Sequence, residues 1–363
     1  MTFELHQNSL QSYLSSLFGA PVRVIAFGPL GAPVETGEVK GYGYGAPIQI
    51  DYEVFGKQHR AVLETMKPGS FGHEHMADRA QVQLWNHHAF KQLPRHARSL
   101  DVGAFQKEGT LLSLGEAKEL FTLMAFYEGR GYFEDLERLR DYPELSELDL
   151  NRADVLCDYL VEIHKSPGPA PGLYIRHLRE LVGHGECIMG LIDSYPARHG
   201  FITSVLLEEI EQKCVAWRWR LKGKTARLRQ SHGDFHPWNI LFRNGADFTV
   251  LDRSRGEWGD PADDVCCLTM NYLFFSLQRG ERLDGNLETL FLRFWARYLE
   301  KSGDAGILEV AAPYFAFRGL VMASPIWYPH LSEGVRLKLF NFIQSVLDQP
   351  RFDPEKVNQY CDG

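Results

Sequence analysis

Ser231-His-Gly-Asp-Phe-His-Pro-Trp-Asn-Ile-Leu-Phe242, then Val250-Leu-Asp252, then Gly259-Asp-Pro-Ala-Asp-Asp264 is the stretch whose reading decides the fold. Two short apolar runs, 239–242 and 248–251, flank the turn at Asn244-Gly245 and predict a hairpin. A hairpin there holds the residues on either side of it close together, so Asn239 and Asp252 become neighbours. A carboxylate near an attacking hydroxyl and oxygen ligands for magnesium are what phosphoryl transfer asks of a protein. This stretch offers all of these.

Asp234 and Asn239 are spaced as the Asp and Asn of the H-R-D-x-x-x-x-N loop of protein kinases, with Asp252 arriving after the hairpin. The segment resembles the catalytic loop and metal-binding Asp of aminoglycoside phosphotransferases, choline kinases and their relatives. The resemblance is dense over 231–268 and follows the order of elements over 22–330. It implies that Asp234 is catalytic, orienting or deprotonating the substrate hydroxyl, and that Asn239 and Asp252 ligate Mg2+. It further implies that His232 and His164 are structural and that Asp264, the last Asp of a GDPxxD pattern, pins the loop through backbone hydrogen bonds. His236 is read as a hydrogen-bonded structural residue.

Outward from this centre, the N-terminal third carries three runs rich in β-branched and aromatic residues, Val22 to Phe27, Ile48 to Phe55 and His59 to Thr65, which predict antiparallel strands. Between the first two lies Gly41-Tyr-Gly-Tyr-Gly-Ala-Pro47, whose glycines allow close backbone approach to a ligand. Helical spacing follows over Met76 to Leu93, a strand pair within Arg98 to Leu114, and a mostly helical pattern to the C-terminus. Asn151 to His164, Tyr174 to Tyr195 and Phe201 to Arg220 read as helices, and Val265 to Leu277 as a buried one.

Strands early and helices late predict an α+β protein. By the resemblance it is a two-lobed protein-kinase-like fold, with a small antiparallel sheet lobe over 1–122, a hinge at 123–129 and a larger, mostly helical lobe over 130–363. On the same ground Gly41, Gly43 and Gly45 cover the nucleotide, and the backbone of Ala125 and Tyr127 pairs with the adenine edge. The implied activity is a small-molecule kinase moving the γ-phosphoryl group of ATP, or of GTP, with Mg2+ to a hydroxyl of an aminoglycoside-like antibiotic, a sugar or an amino alcohol.

One position departs from the pattern. The third strand of such kinases ends in a Lys or Arg, and Ala61-Val-Leu-Glu64 puts a glutamate there. A carboxylate facing a triphosphate repels it unless a cation intervenes. Lys40 or Lys67 could supply that cation, the nucleotide could bind in a changed pose suited to nucleotidyl transfer, or the strand register could differ by a residue. Glu74 and Asp78 are the acidic candidates at the start of the next helix. A pseudokinase that binds nucleotide without turnover is the non-enzymatic alternative, and retention of Asp234, Asn239 and Asp252 argues against it.

Composition bounds the rest. The 363 residues carry a net charge of -8, with 44% hydrophobic and 24% charged residues, which suits a globular chain large enough for two lobes and disfavours duplex nucleic acid as partner. The six cysteines form no CxxC pair, and the N-terminus shows no signal-peptide pattern, so a reducing, cytoplasmic setting is expected. No apolar run reaches membrane-spanning length, so no membrane partner is expected, and the assembly is a monomer or homodimer. The expected partner is a small-molecule hydroxyl acceptor, with contacts drawn from Glu186, Asp193, Arg318, Trp327 and Tyr328. Arg253 is expected to pair with Glu257 or Asp260.

Overall fold

The computed structural model describes residues 5–30, 45, 47–90, 92, 94–142 and 144–362. The chain divides into two compact units, Met1–Met124 and Ala125–Gly363.

In the first unit, α1 (Gln7–Phe18) precedes β1 (Arg23–Pro29), β2 (Ile48–Val54) and β3 (Lys57–Leu63), an antiparallel sheet in that order. Alternation along β2 explains its packing: Ile50, Tyr52 and Val54 are buried in one cluster with Leu10 and Leu14 of α1. α2 (Met76–Ala89) follows, closed at its start by a box in which Asp78 Oδ2 accepts the His75 N–H at 2.7 Å. The hairpin of β4 (Gly103–Phe105) and β5 (Leu111–Ser113) lies where a strand pair was expected. α1 was not anticipated, because its apolar positions are interspersed with Ser and Gln and it begins without a capping side chain.

The second unit opens with β6 (Arg130–Gly131), α3 (Tyr132–Asp141), α4 (Glu147–Ile163), α5 (Gly172–Gly183) and α6 (Ile188–Ser194). The single helix expected over Tyr174 to Tyr195 is thus two, because the chain turns extended at His184 and again at Cys187. A small pair, β7 (Arg198–His199) and β8 (Ile202–Thr203), leads to α7 (Ser204–Leu221) and β9 (Arg229–Gln230). β10 (Ile240–Phe242) and β11 (Phe248–Val250) form the expected hairpin, with Ile240 opposite Val250, and β10 also pairs with β6. β12 (Trp258–Gly259) pairs with β9.

All seventeen residues of α8 (Pro261–Leu277) are buried, as its apolar run suggested. Around it pack α9 (Gly285–Ser302), α10 (Ala312–Ala323) and α11 (Glu333–Asp348), with α12 (Val357–Asp362) closing the chain. The four helices share one cluster that includes Leu268, Phe291, Phe315 and Phe342. The outer face of α9 is tied to α4 by Arg293 to Asp154 and by Arg297 and Lys301 to Asp158.

α10 carries Arg318 to the loop that holds Asp234, and Gly319 sets how closely that helix lies on α11. A Cβ there would fall 2.7 Å from Ile343 Cγ1, so only glycine permits the approach. Gly319→Ala should therefore destabilise the fold by about 1 to 3 kcal/mol through overpacking, and Ile343→Val in the same chain should recover part of it. Urea unfolding of the single and double variants would test this, and additive losses would refute the contact.

Candidate active site

The loop 231–239 is built from its backbone outward. Asp260 caps α8 by accepting the Ala262 N–H at 3.0 Å, with Pro261 in the first turn. That start leaves Asp264 in the first turn and buried, where its Oδ2 accepts the His232 N–H at 2.8 Å and its Oδ1 the Gly233 N–H at 2.7 Å. His164 Nε2 lies 3.1 Å from the same Oδ2, and its Nδ1 lies 2.8 Å from the Tyr298 hydroxyl. Burial works against a charged Asp264, but these donors outweigh it and hold the carboxyl below its ordinary value. Asp264 pins the loop, and His164 and His232 are structural, as the resemblance implied.

Gly233 has φ +84°, and a Cβ on it would come within 3.1 Å of Arg255 Cβ. The next residue, Asp234, is buried, and its N–H donates to His232 Nδ1 at 3.3 Å. His236 is turned the same way: its Nδ1 accepts the Trp238 N–H at 3.2 Å, which leaves Nε2, 3.4 Å from Asp234 Oδ2, to carry a proton toward that carboxylate. Burial lowers the proton affinity of His232, in keeping with its acceptor role.

Two arginines, one of which was assigned elsewhere by sequence reasoning, converge on Asp234. Arg318 Nη1 of α10 lies 2.5 Å from Asp234 Oδ1, while its Nη2 bonds Gly233 O and Asp263 Oδ1, each at 2.8 Å. Arg255 Nε lies 3.7 Å from Asp234 Oδ1. Burial pushes the Asp234 carboxyl up, yet the His236 hydrogen bond and the charges of Arg318 and Arg255 prevail and hold it well below the usual carboxylate range. Arg318 was expected to touch the acceptor. It is 4% exposed and its two terminal nitrogens bond the 231–239 loop and Asp263 instead, because α10 packs in the core beside α8.

Asn239 and Asp252 lie at the two ends of the hairpin, where Asn239 pairs with Leu251. Asn239 O accepts the Leu251 N–H at 2.8 Å, extending the β10–β11 ladder toward Asp252. Asn239 Nδ2 donates to Asp234 O at 3.1 Å, so its amide oxygen is left for another partner. Asp252 is exposed, has φ +53°, a backbone conformation that Asp tolerates better than most residues, and has no hydrogen-bonding partner among the described residues. An amide oxygen and a carboxylate on adjoining positions are the hard donors Mg2+ takes, so these residues fit that ion.

Arg253 does not form the expected ion pair. Its Nε donates to Ser231 O at 2.9 Å and its Nη2 to the backbone carbonyl of Glu257 at 3.0 Å. Asp260 is already claimed by Arg227, through bonds of 2.7 and 2.9 Å, and by the Tyr174 hydroxyl. Tyr328 packs edge-on against Phe274, with 4.9 Å between ring centroids, whereas Trp327, Glu186 and Asp193 are exposed.

Of the residues expected to hold nucleotide, Lys40, Gly41 and Gly43 lie outside the described residues. Gly45 belongs to the first unit and bridges Met66, and a Cβ on it would approach Glu64 Oε1 to 3.1 Å. Glu64 stands one residue beyond β3, and Lys67 is exposed. Ala125 and Tyr127 begin the second unit in a segment without helix or strand and are exposed. Asp78 is engaged at the start of α2.

A model of the phosphotransferase enzyme family matches residues 88–300, a span that contains Asp234, Asn239, Asp252 and Asp264. The chain belongs to that family. The chain is an α+β phosphotransferase with a small antiparallel sheet and a helical majority. Among solved structures it is similar to spectinomycin phosphotransferase with ADP and spectinomycin bound, at 11% identity over 99% of this chain and 98% of that one, TM-score 0.35. An amicoumacin kinase in complex with AMP-PNP and Ca2+ shows 14% identity over 86% and 89%, TM-score 0.42, and a choline kinase from Streptococcus pneumoniae 12% over 94% and 98%, TM-score 0.36. No curated protein sequence matches the phosphotransferase. Among the described residues no helix is long and apolar enough to cross a membrane, and all six cysteines are free and buried.

Two outcomes are expected of this geometry. Asp264→Asn places an amide N–H against the loop's own N–H groups and should cost about 3 kcal/mol in unfolding free energy; an unchanged urea midpoint would disprove the pin. The depressed Asp234 carboxyl gives stability that is complete above the ordinary carboxylate value, about 3.9, and is lost as pH falls toward its folded value. Asp234 should accordingly contribute no acidic limb to the rate between pH 5 and 9, roughly the range where a carboxyl raised by burial would titrate. A limb in that range that disappears in Asp234→Asn would contradict it.

Proposed function

We propose that the phosphotransferase moves the γ-phosphoryl group of ATP to a hydroxyl of a small molecule, with Asp234 aligning that hydroxyl. The observation that supports this best is the placement of Asp234, Asn239 and Asp252 on one loop and one hairpin, where Asn239 Nδ2 bonds Asp234 O and the N–H of Leu251, the residue before Asp252, bonds Asn239 O. Asn239 and Asp252 would hold Mg2+. When bound, that ion neutralises charge on the nucleotide phosphates.

A carboxylate held ionised by arginines is a weak base. Its part is to accept a hydrogen bond from the acceptor hydroxyl and aim the oxygen at phosphorus, which suits a loose transition state in which the proton leaves late. His236 keeps Asp234 in place from one side and Arg318 from the other. On the nucleotide side, Lys40 is proposed as the cation that replaces the expected strand-three lysine, and Lys40→Ala should raise the KM for ATP.

Thermal-shift titration with Mg-ATP tests the reading first, since a ligand that binds only the folded state raises its apparent stability. Asp234→Asn, which preserves the shape opposite the buried Arg318, should keep the ATP shift and lower kcat by about 10^2- to 10^4-fold. Asp252→Ala should diminish both the magnesium-dependent shift and turnover. A fully active Asp234→Asn enzyme would remove the residue from the chemistry.

A further inference from the structure

The surroundings of Asp234 carry information about the acceptor, provided that the protein is the kinase proposed for it. The buried acids beside the loop are committed: Asp263 Oδ1 to Arg318 at 2.8 Å, Asp260 to Arg227, and Asp264 to His164 and the loop N–H groups.

Arg255 is in the opposite position. Its Nη1 donates to Glu186 O at 3.4 Å and to Cys187 Sγ at 3.2 Å, and neither carries charge: burial pushes the Cys187 thiol up to about 11. Its Nε is buried without an acceptor, and the carboxylate 3.7 Å from it is already bonded to Arg318. Phe317 lies under both guanidinium groups, 4.7 Å from that of Arg255 and 4.5 Å from that of Arg318, and offers neither a full counter-charge. Arg255 keeps 22% of its side-chain surface open and Asp234 13%, so a molecule whose hydroxyl reaches Asp234 comes within reach of Arg255. A guanidinium half withdrawn from water and short of hydrogen-bond acceptors binds an oxyanion strongly.

We propose that the acceptor carries an anionic group, carboxylate or phosphate, beside the hydroxyl that is phosphorylated, and that Arg255 receives it. In the reaction the acceptor oxygen bonds to the γ-phosphorus, the bond from that phosphorus to the bridging oxygen breaks with its electron pair retained by ADP, and the hydroxyl proton departs past Asp234 to water. Arg255 fixes the far end of the acceptor so that its hydroxyl faces Asp234.

Phosphoryl transfer from radiolabelled ATP to matched acceptors tests this: glycerate, gluconate and glycerol 3-phosphate against glycerol, glucosamine and choline. Transfer confined to anionic members is expected. With the best of them, Arg255→Gln should raise the acceptor KM by at least about tenfold, and Arg255→Lys, which retains the charge, should recover part of that loss. An unchanged thermal midpoint would show that both variants fold. Transfer confined to the uncharged or cationic members, or an acceptor KM unmoved by Arg255→Gln in a folded protein, overturns the inference and leaves the kinase reading intact. Transfer to no member at all overturns both together.

Discussion

The buried carboxylate of Asp264 is the interaction on which the site depends. An isolated carboxylate with no surface exposure would be prohibitively costly, and this one is tolerated because three N–H groups converge on it. It fastens the loop to the first turn of α8, the most deeply buried helix of the second unit, so the position of Asp234 is set by the core rather than by the loop itself. His164 at the end of α4 completes the arrangement and is in turn held by Tyr298 of α9. Helices α4, α8 and α9 thus share one anchor.

A second layer of charge is laid over that anchor by helix α10. Arg318 brings a buried cation to Asp234, Asp263 and Gly233 O, and Gly319 beside it lets the helix sit close enough for that reach. The pair suits a carboxylate that must stay ionised and oriented, at the expense of its strength as a base. Removing either partner alone would strand a charge in the interior, which is why shape-preserving substitutions report on chemistry more cleanly than truncations.

The far end of α10 is held by the same kind of contact. Arg336 of α11 is buried and bonds the carbonyls of Ala323 and Tyr328, with no carboxylate beside it among the described residues. A cation at a helix C-terminus meets the negative end of the helix dipole and satisfies carbonyls that would lack partners. Arg318 thus ties the middle of α10 to the 231–239 loop, and Arg336 ties its C-terminal end and the segment that follows to α11.

Local pattern was enough for much of this protein. The order of strands and helices, the hairpin after Asn239, the buried α8 and the spacing of Asp234, Asn239, Asp252 and Asp264 were legible in the sequence, because each depends on residues within a few positions or one turn. The break between α5 and α6 was missed because the run is amphipathic throughout and carries no proline. Arg255 and Arg318 were not legible as partners of Asp234: an arginine's neighbours lie 21 and 84 residues away, and nothing in its immediate sequence names them. The same holds for Arg253, whose acidic neighbours suggested an ion pair while the backbone carbonyls of Ser231 and Glu257 took its protons. The phosphotransferase family was legible in the order of residues alone, since the spacing of Asp234, Asn239, Asp252 and Asp264 is a local property. The charge around Asp234 was settled on folding, since long side chains choose partners through space and burial decides which of them must be satisfied.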